Sequence, residues 1–293
     1  MTSVALLVNP TAGKGRAAKV VAAVVERLRA GGADVAILVG RDVEHAQTLA
    51  RTAVDDGVDA VVALGGDGMV HLALNVVAGT KTPLGIVPAG TGNDLANHLG
   101  LPTKDPVAAA GVIAERLAGE GARPIDAVRV GERWFGCVLG AGFDSRVNDR
   151  ANRMSWPHGR MRYNLAMLAE LRVFKPLPFV LDLDGDRLET DAMLVAVGNA
   201  RSYGAGMKVC PAASLDDGLL DVTILGPLSK PEFLKAFPKV FKGTHVDHPA
   251  VTCRKAKVVS LSSPGVTAYA DGEFLANLPI TCETVAGGVQ ILA

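Results

Sequence analysis

Three glycine-rich turns and a few carboxylates are the parts of this chain equipped for chemistry. The turns are Asn9-Pro10-Thr11-Ala12-Gly13-Lys14-Gly15, Gly65-Gly66-Asp67-Gly68 and Gly90-Thr91-Gly92-Asn93-Asp94. Glycine lets backbone N–H groups approach a phosphate, and a helix that follows points its positive end at the same place. None of the three has the Gly-Lys-Ser/Thr ending of a P-loop, and the dinucleotide fingerprint is absent. One such turn alone reads as a structural feature. Three at the ends of strands, two of them carrying an Asp, point to nucleotide binding. Phosphoryl transfer needs Mg²⁺ on oxygen ligands and a base near the acceptor hydroxyl. Asp67, Asp94 and Asp126, with the late Asp271-Gly272-Glu273, offer those oxygens. Taken singly, Asp94 and Asp126 read as helix caps or turn residues.

The elements that must position these residues change rhythm along the chain. Apolar runs at Val4–Val8, Val35–Val39, Ala60–Leu64 and Leu84–Val87 alternate with helical patterns at Arg16–Ala30, Glu44–Asp55, a stretch ending at Val77, one from about Asn93, and Asp105–Leu117. Such alternation predicts a parallel sheet with helices on both faces, a Rossmann-like α/β domain whose ligands bind at the carboxyl ends of the strands. After Pro124 strand patterns follow one another: Ala127–Val130, Trp134–Leu139, Phe179–Leu183, Arg187–Val197, Leu219–Leu225, Lys257–Ser262, Val266–Ala270 and Ile280–Ile291. Asp184-Gly185 reads as a hairpin turn. Helical inserts at Arg160–Phe174 and Lys230–Lys242 interrupt an antiparallel, sandwich-like β domain. The boundary is expected near residue 125, giving domains 1–125 and 126–293 with the site in the cleft between them.

Composition narrows the function classes. The chain has 293 residues, 49% hydrophobic and 20% charged, enough to bury a core and too ordered for a disordered protein. Lys and Arg number 30 and so do Asp and Glu, which argues against a dedicated nucleic-acid binder. No apolar run approaches the roughly 20 residues of a membrane span, and the N-terminus does not read as a secretory signal. Cys137, Cys210, Cys253 and Cys282 form no Cys-x-x-Cys pair, so zinc is not expected; they read as reduced core cysteines of a cytoplasmic protein.

Gly65-Gly66-Asp67-Gly68, Pro88-Ala89-Gly90-Thr91-Gly92-Asn93-Asp94 and Ala270-Asp271-Gly272-Glu273, in this order and spacing, resemble the diacylglycerol kinase catalytic family. That family includes bacterial soluble lipid kinases, eukaryotic diacylglycerol kinases, and sphingosine and ceramide kinases. Asn9-Pro10, Gly198-Asn199 and the run Asp216-Asp217-Gly218-Leu219-Leu220-Asp221 agree with it. The resemblance implies an ATP-dependent kinase making phosphatidic acid from diacylglycerol. Asn9, Gly66, Asp67, Gly68, Thr91 and Asn93 would line the nucleotide site. Asp67, Asp94 and Asp126 would organise Mg²⁺ and the charges around the phosphates. Asp271 would be the general base with Glu273 assisting, and Asp67 is its rival for that role in the sphingosine kinase branch. Relatives also imply a structural Mg²⁺ held by Asp217 and main-chain carbonyls near Ser214 and Leu219, where the residues alone read as an Asp-Gly turn. Similar bacterial kinases pair as homodimers. The chain departs from the family after its Gly-Gly-Asp-Gly: the usual Thr is Met69 and the usual Asn-Glu is His71-Leu72. His71 is expected to be structural or solvent-facing.

Between Arg146 and Lys175 seven basic residues oppose only Asp149 and Glu170, with Met154, Trp156, Met161, Tyr163, Met167 and Phe174 interleaved. Phe233, Phe237 and Phe241 recur at i, i+4, i+8 beside Lys235, Lys239 and Lys242. Basic residues beside aromatic ones suit peripheral docking on an anionic membrane; equally, such helices pack an apolar face on the β domain. The Lys230 helix fits packing better, and the Arg146–Lys175 region fits either. Three other readings stand beside diacylglycerol: another lipid alcohol (a sphingoid base or ceramide), a soluble acceptor as in NAD kinases, and a lipid- or nucleotide-binding regulatory protein without turnover, to which Met69 points.

Overall fold

The computed structural model describes residues 2–10, 12–154, 156, 160–204 and 206–293. Thr11 of the first glycine turn, and the side chains of Lys14, Arg160 and Tyr163, lie outside the described residues. The first part alternates β1 (Thr2–Val8), α1 (Ala12–Ala30), β2 (Ala33–Leu38), α2 (Val43–Asp55), β3 (Ala60–Gly65), α3 (Asp67–Val77), β4 (Leu84–Pro88), α4 (Asp94–His98) and α5 (Pro106–Ala118). The four strands are parallel in the order β2-β1-β3-β4. Strand alternation divides the core between the two faces. Val4, Leu6 and Val8 pack with Val24 and Leu28 of α1 and Ile113 of α5. Ala5 and Leu7 pack on the other side with Ala46 and Ala50 of α2 and with α3. Asp105 accepts hydrogen bonds from the amides of Val107 and Ala108, and Pro106 follows it, so α5 starts one residue later than its cap.

The second part comprises β5 (Arg123–Val130), β6 (Arg133–Phe135), β7 (Val138–Gly142), α6 (Phe143–Arg153), α7 (Arg160–Val173), β8 (Leu177–Leu183), β9 (Asp186–Ala192), β10 (Leu194–Gly198), β11 (Leu220–Leu225), α8 (Lys230–Ala236), β12 (Val251–Ala256), β13 (Val258–Ser262), β14 (Thr267–Ala270), β15 (Glu273–Asn277) and β16 (Ile280–Ile291). One antiparallel sheet runs β12-β11-β10-β7-β14-β15. The strands β16, β13, β8 and β9 instead extend the first sheet beyond β4. Phe179, Leu181, Val259 and Leu261 of that extension pack against Leu139, Val195 and Val222 of the antiparallel sheet. The architecture is therefore a parallel α/β layer followed by a β-sandwich. The boundary expected near residue 125 falls inside β5.

Several elements differ from their sequence patterns. The run Trp134–Leu139 is two strands, broken at Gly136-Cys137. The run Arg187–Val197 breaks at Met193, and its halves β9 and β10 belong to different sheets. A two-sided apolar run cannot show which sheet it joins. Helix α6 was not expected, because only Phe143, Val147 and Ala151 mark its buried stripe within an otherwise polar segment. Strands β12 and β15 are mostly exposed and lack a strong period. The Lys230–Lys242 helix stops at Ala236 and continues as a 3₁₀ segment over Phe237–Phe241, with Pro238 near its start. Its Phe233 packs edge-on against Phe143 of α6, in a cluster that also holds Met193 and Leu225 of the β domain. Cys137, Cys210 and Cys282 are buried, but Cys253 is exposed on the edge strand β12, which corrects its reading as a core cysteine.

Candidate active site

The second and third glycine turns meet backbone to backbone at the carboxyl ends of β3 and β4. Ala89 N–H donates to Gly65 O at 2.7 Å. A Cβ on Gly90 would stand 2.5 Å from Gly66 Cα, so no side chain fits there. Asn93 adopts a left-handed conformation, φ 54°, and its side chain closes its own turn. Its Oδ1 accepts from Gly90 N–H at 3.0 Å and its Nδ2 donates to Gly90 O at 3.1 Å. Asp67 opens α3 and fastens the two turns together, accepting from the amides of Asn93 at 2.9 Å and Asp94 at 2.7 Å. Burial pushes the Asp67 carboxyl up, the two amides oppose this, and the nearby Asp271 charge adds to it; the net direction is up. A Cβ on Gly92 would lie 2.4 Å from Asp67 Oδ2 and 3.4 Å from Asp94 Oδ2, so two carboxylates face the same spot beside a glycine. Thr91 is exposed on the lip of its turn. Asn9 donates its N–H to Leu64 O, which holds the first turn beside Gly65.

Asp271 arrives from the opposite side, on the β14–β15 turn, also left-handed at φ 53°. The break between β6 and β7 exists around it. Its carboxylate accepts from the amides of Gly136 at 2.8 Å, Cys137 at 2.9 Å and Val138 at 3.3 Å. His71 Nδ1 lies 3.3 Å from Asp271 Oδ2, with side-chain exposures of only 16% and 10%. Burial alone would depress the imidazole; the hydrogen bond and charge of Asp271, helped by Glu273, outweigh it and raise it. The exposed Glu273 reaches toward Gly68, where a Cβ would meet Glu273 Oε1 at 2.8 Å. A small cleft results, lined by Asp67, His71, Asp94, Cys137, Tyr203 and Asp271. The Cys137 thiol is buried and is pushed well up by burial and by the charges of Asp271, Asp94 and Asp67. Behind the cleft, burial raises Asp144 to about 6, against a hydrogen bond with Tyr203.

The structure thus gathers Asp67, Asp94, Asp271 and Glu273 around one cleft, with Gly66, Gly68, Thr91 and Asn93 on its turns. His71 lines it too and is largely buried, which corrects the solvent-facing part of its expectation; the one available signal was its place four residues after Asp67, on the same helix face. Asp126 is not brought to the cleft. Its two oxygens accept from the amides of Gly218 at 2.7 Å and Gly287 at 2.9 Å, tying β5 to the turn before β11 and to a bulge in β16. Asn199, which follows Gly198 in the family resemblance, donates its Nδ2 to Asp126 O and Gly136 O, linking the same region to the strand break.

Asp217, expected to hold a structural Mg²⁺, has a lysine beside it. Lys255 Nζ lies 2.9 Å from both Asp217 Oδ2 and Asp221 Oδ2. Leu219 directs its N–H at Asp217 Oδ1, at 3.1 Å, and Ser214 Oγ donates to Asp216. An ammonium sits between the two carboxylates, so Asp217 is already balanced; the main-chain carbonyls near Ser214 and Leu219 remain a proposal. At the cleft the donor set does fit: Asp67 and Asp94 present oxygens to one point, and phosphate oxygens would complete a magnesium shell. Among the described residues no three His, Cys, Asp or Glu side chains form a complete metal site by themselves.

The family model for the diacylglycerol kinase catalytic domain matches residues 3–130, and that for the YegS C-terminal NAD kinase beta sandwich-like domain matches residues 137–293. The chain is 48% identical to a diacylglycerol kinase of Mycobacterium tuberculosis, over 99% of this chain and 94% of that protein. It is 28% identical to a diacylglycerol kinase of Bacillus subtilis, over 94% and 90% of the two chains. Among solved structures, a diacylglycerol kinase from Bacillus anthracis superposes with a TM-score of 0.80 at 26% identity, covering 99% and 96% of the chains. An NAD kinase from Archaeoglobus fulgidus shares the fold, with a TM-score of 0.56 at 11% identity over 99% and 92%.

Proposed function

The chain belongs to the diacylglycerol kinase catalytic family, and from that premise we propose that it transfers the γ-phosphate of ATP to the hydroxyl of diacylglycerol, giving phosphatidic acid. The observation that carries this reading is the convergence of Asp67, Asp94 and Asp271, from three separate strand ends, on one cleft. The nucleotide belongs on the turns of Asn9, Gly66–Gly68 and Thr91–Asn93, where glycines permit backbone approach and α3 presents its N-terminus. Asp67 and Asp94 would hold Mg²⁺, which supplies neutralisation of phosphate charge when bound. Asp271 takes the proton of the acceptor hydroxyl as that oxygen bonds to the γ-phosphorus. The bond from phosphorus to the bridging oxygen breaks, and ADP leaves with its electron pair. Asp67 is the alternative base; its two oxygens fasten the glycine turns as those of Asp271 hold the strand break. The β-rich residues 126–293 are proposed to receive the lipid.

Access to the lipid calls for a peripheral membrane contact on the cytoplasmic side, and α7 supports one. Met161, Leu165 and Leu168, at i, i+4 and i+7, are 61%, 42% and 50% exposed, and Trp156 before them is 73% exposed. Exposed Arg146, Arg153, Arg172 and Lys175 flank them, and each cation near an anionic surface contributes about 1 kcal/mol. Among the described residues no helix is long and apolar enough to cross a membrane. The homodimer implied by the family resemblance is also a proposal, checked by light scattering in solution.

The test is transfer from γ-labelled ATP and Mg²⁺ to diacylglycerol, and to sphingosine, in mixed micelles. Labelled phosphatidic acid is expected from the unmodified chain, with a loss of at least 100-fold in Asp271→Asn, as is typical for a missing general base. Transfer to sphingosine alone would reassign the acceptor. ATP binding without transfer to any lipid alcohol would overturn the kinase reading.

A further inference from the structure

We infer that His71 is a positioning residue for Asp271, an N–H donor that aims the base when neutral and silences it when protonated. The inference rests on the kinase reading above. It begins with Asn75, whose orientation is fixed by the backbone of Trp134. Asn75 Oδ1 accepts from Trp134 N–H at 2.9 Å, and Nδ2 donates to Trp134 O at 2.8 Å and to His71 O at 2.9 Å. That same Nδ2 lies 3.3 Å from His71 Nε2. Both hydrogens of that amide already go to the two carbonyls, so the tautomer is set on the other side of the ring, where the Asp271 carboxylate can only accept. The hydrogen of neutral His71 therefore sits on Nδ1, directed at Asp271 Oδ2 3.3 Å away.

The consequence for Asp271 follows from its lone pairs. Oδ1 accepts from Cys137 and Val138; Oδ2 accepts from Gly136 and faces His71. These donors fix the plane and the orientation of the carboxylate, with His71 the one side chain among them. A second proton on His71 turns a neutral donor into a cation paired with the base, and a carboxylate so paired takes a proton less readily. The groups that face His71 are Asp271 and Glu273 from the β14–β15 turn, Arg133 of β6, and Asp67 one turn back on α3; Asn75 and the Trp134 backbone are neutral. The acidic neighbours favour the second proton and Arg133 opposes it.

His71→Asn keeps an N–H donor and removes the titration, while His71→Ala removes both. Phosphate transfer to the lipid acceptor is measured from pH 5.5 to 9 for the three chains, with ring titration of His71 by NMR in the unmodified chain and in Asp271→Asn. The unmodified chain should lose rate on the acid side, roughly tenfold per pH unit below a midpoint above the ordinary imidazole value of about 6.5. In His71→Asn that midpoint should fall by at least one pH unit, and His71→Ala should be at least fivefold slower than His71→Asn at pH 8. An acid limb unmoved by His71→Asn, or equal rates for Asn and Ala throughout, overturns the proposal. If the unmodified chain phosphorylates no lipid alcohol, the kinase reading falls by itself. The pairing is then judged by NMR: a lower His71 midpoint in Asp271→Asn supports it, and an unchanged midpoint overturns it.

Discussion

Gly90 has one of the most demanding side-chain positions in the molecule, because what lies against it is backbone and not a movable side chain. Gly90→Ala would force its Cβ to within 2.5 Å of Gly66 Cα and 2.9 Å of Asn93 Oδ1. Overpacking of this kind costs about 1–3 kcal/mol, and here it also pushes apart the two turns that Asp67 fastens. The expected outcome is a melting temperature several degrees lower and a raised KM for ATP; an unchanged KM would show that the turns do not hold the nucleotide. Asp144 makes a different residue-scale prediction. Burial raises its carboxyl to about 6 from an ordinary 3.8, so the folded chain binds that proton more tightly than the unfolded one. Its stabilising contribution is complete below about 3.8 and is lost as pH rises through about 6. Asp144→Asn, which keeps a partner for Tyr203, should therefore match the unmodified chain near pH 4 and melt a few degrees higher at pH 8. An equal difference at both pH values, measured calorimetrically, would show that Asp144 does not titrate in this range. At this scale the glycines and acids were legible from spacing, whereas their partners were not. His71 meets Asp271 across 200 positions of sequence, and the acidity of Asp126 said nothing of the Gly218 and Gly287 amides that use it.

At the scale of elements, the parallel strands and their helices were readable because both faces of each strand are buried, giving continuous runs such as Val4–Val8. The sandwich was harder. A run such as Arg187–Val197 contains two strands of two sheets, and α6 hides its stripe of Phe143, Val147 and Ala151 among charges. Two elements carry predictions. The turn before β11 and its neighbour β12 are joined by Lys255, which stands where a cation would otherwise balance Asp217 and Asp221. The melting temperature of the unmodified chain should then be the same in EDTA and in Mg²⁺. Lys255→Met should lower it, with a loss of about 1 kcal/mol in stability given the partial exposure of the lysine, and Mg²⁺ should restore part of the loss. A rise with Mg²⁺ in the unmodified chain that Asp217→Asn abolishes would reinstate the metal. On α7, replacing Leu165 and Leu168 together by Glu removes exposed apolar surface and adds like charge to an anionic membrane. Co-sedimentation with phosphatidylglycerol vesicles should fall at least tenfold with little change in melting temperature. Undiminished binding would exclude α7 as the contact.

At the scale of the molecule, the last strand joins the two parts of the chain. β16 begins in the β-rich part, pairing with β13 and β5, and ends beside β4, with Ile291 opposite Leu84 and Leu292 N–H on Leu84 O at 2.9 Å. The bulge that lets it turn carries Gly287, whose amide Asp126 holds. Val289 and Ile291 then fill the core under α2 and α3, and Leu292 fills the core under α1 and α5. All three are at most 1% exposed, and burying each contributes about 1.5–3 kcal/mol. Together they approach the ~5–15 kcal/mol that separates folded from unfolded domains. Deleting residues 289–293 should therefore abolish the cooperative melt of the whole chain, and residues 1–125 expressed alone should show no cooperative transition by circular dichroism. A sharp melt for 1–125 would mean that the nucleotide-binding layer closes its own core. The same closure bears on catalysis: β16 ties β4, which leads into the Gly90–Asp94 turn, to β5, whose partner β6 leads into the strand break that grips Asp271. The two sides of the cleft are thus joined by continuous sheet, and weakening that seam should reduce phosphate transfer before it reduces ATP affinity, because only transfer requires both sides in register.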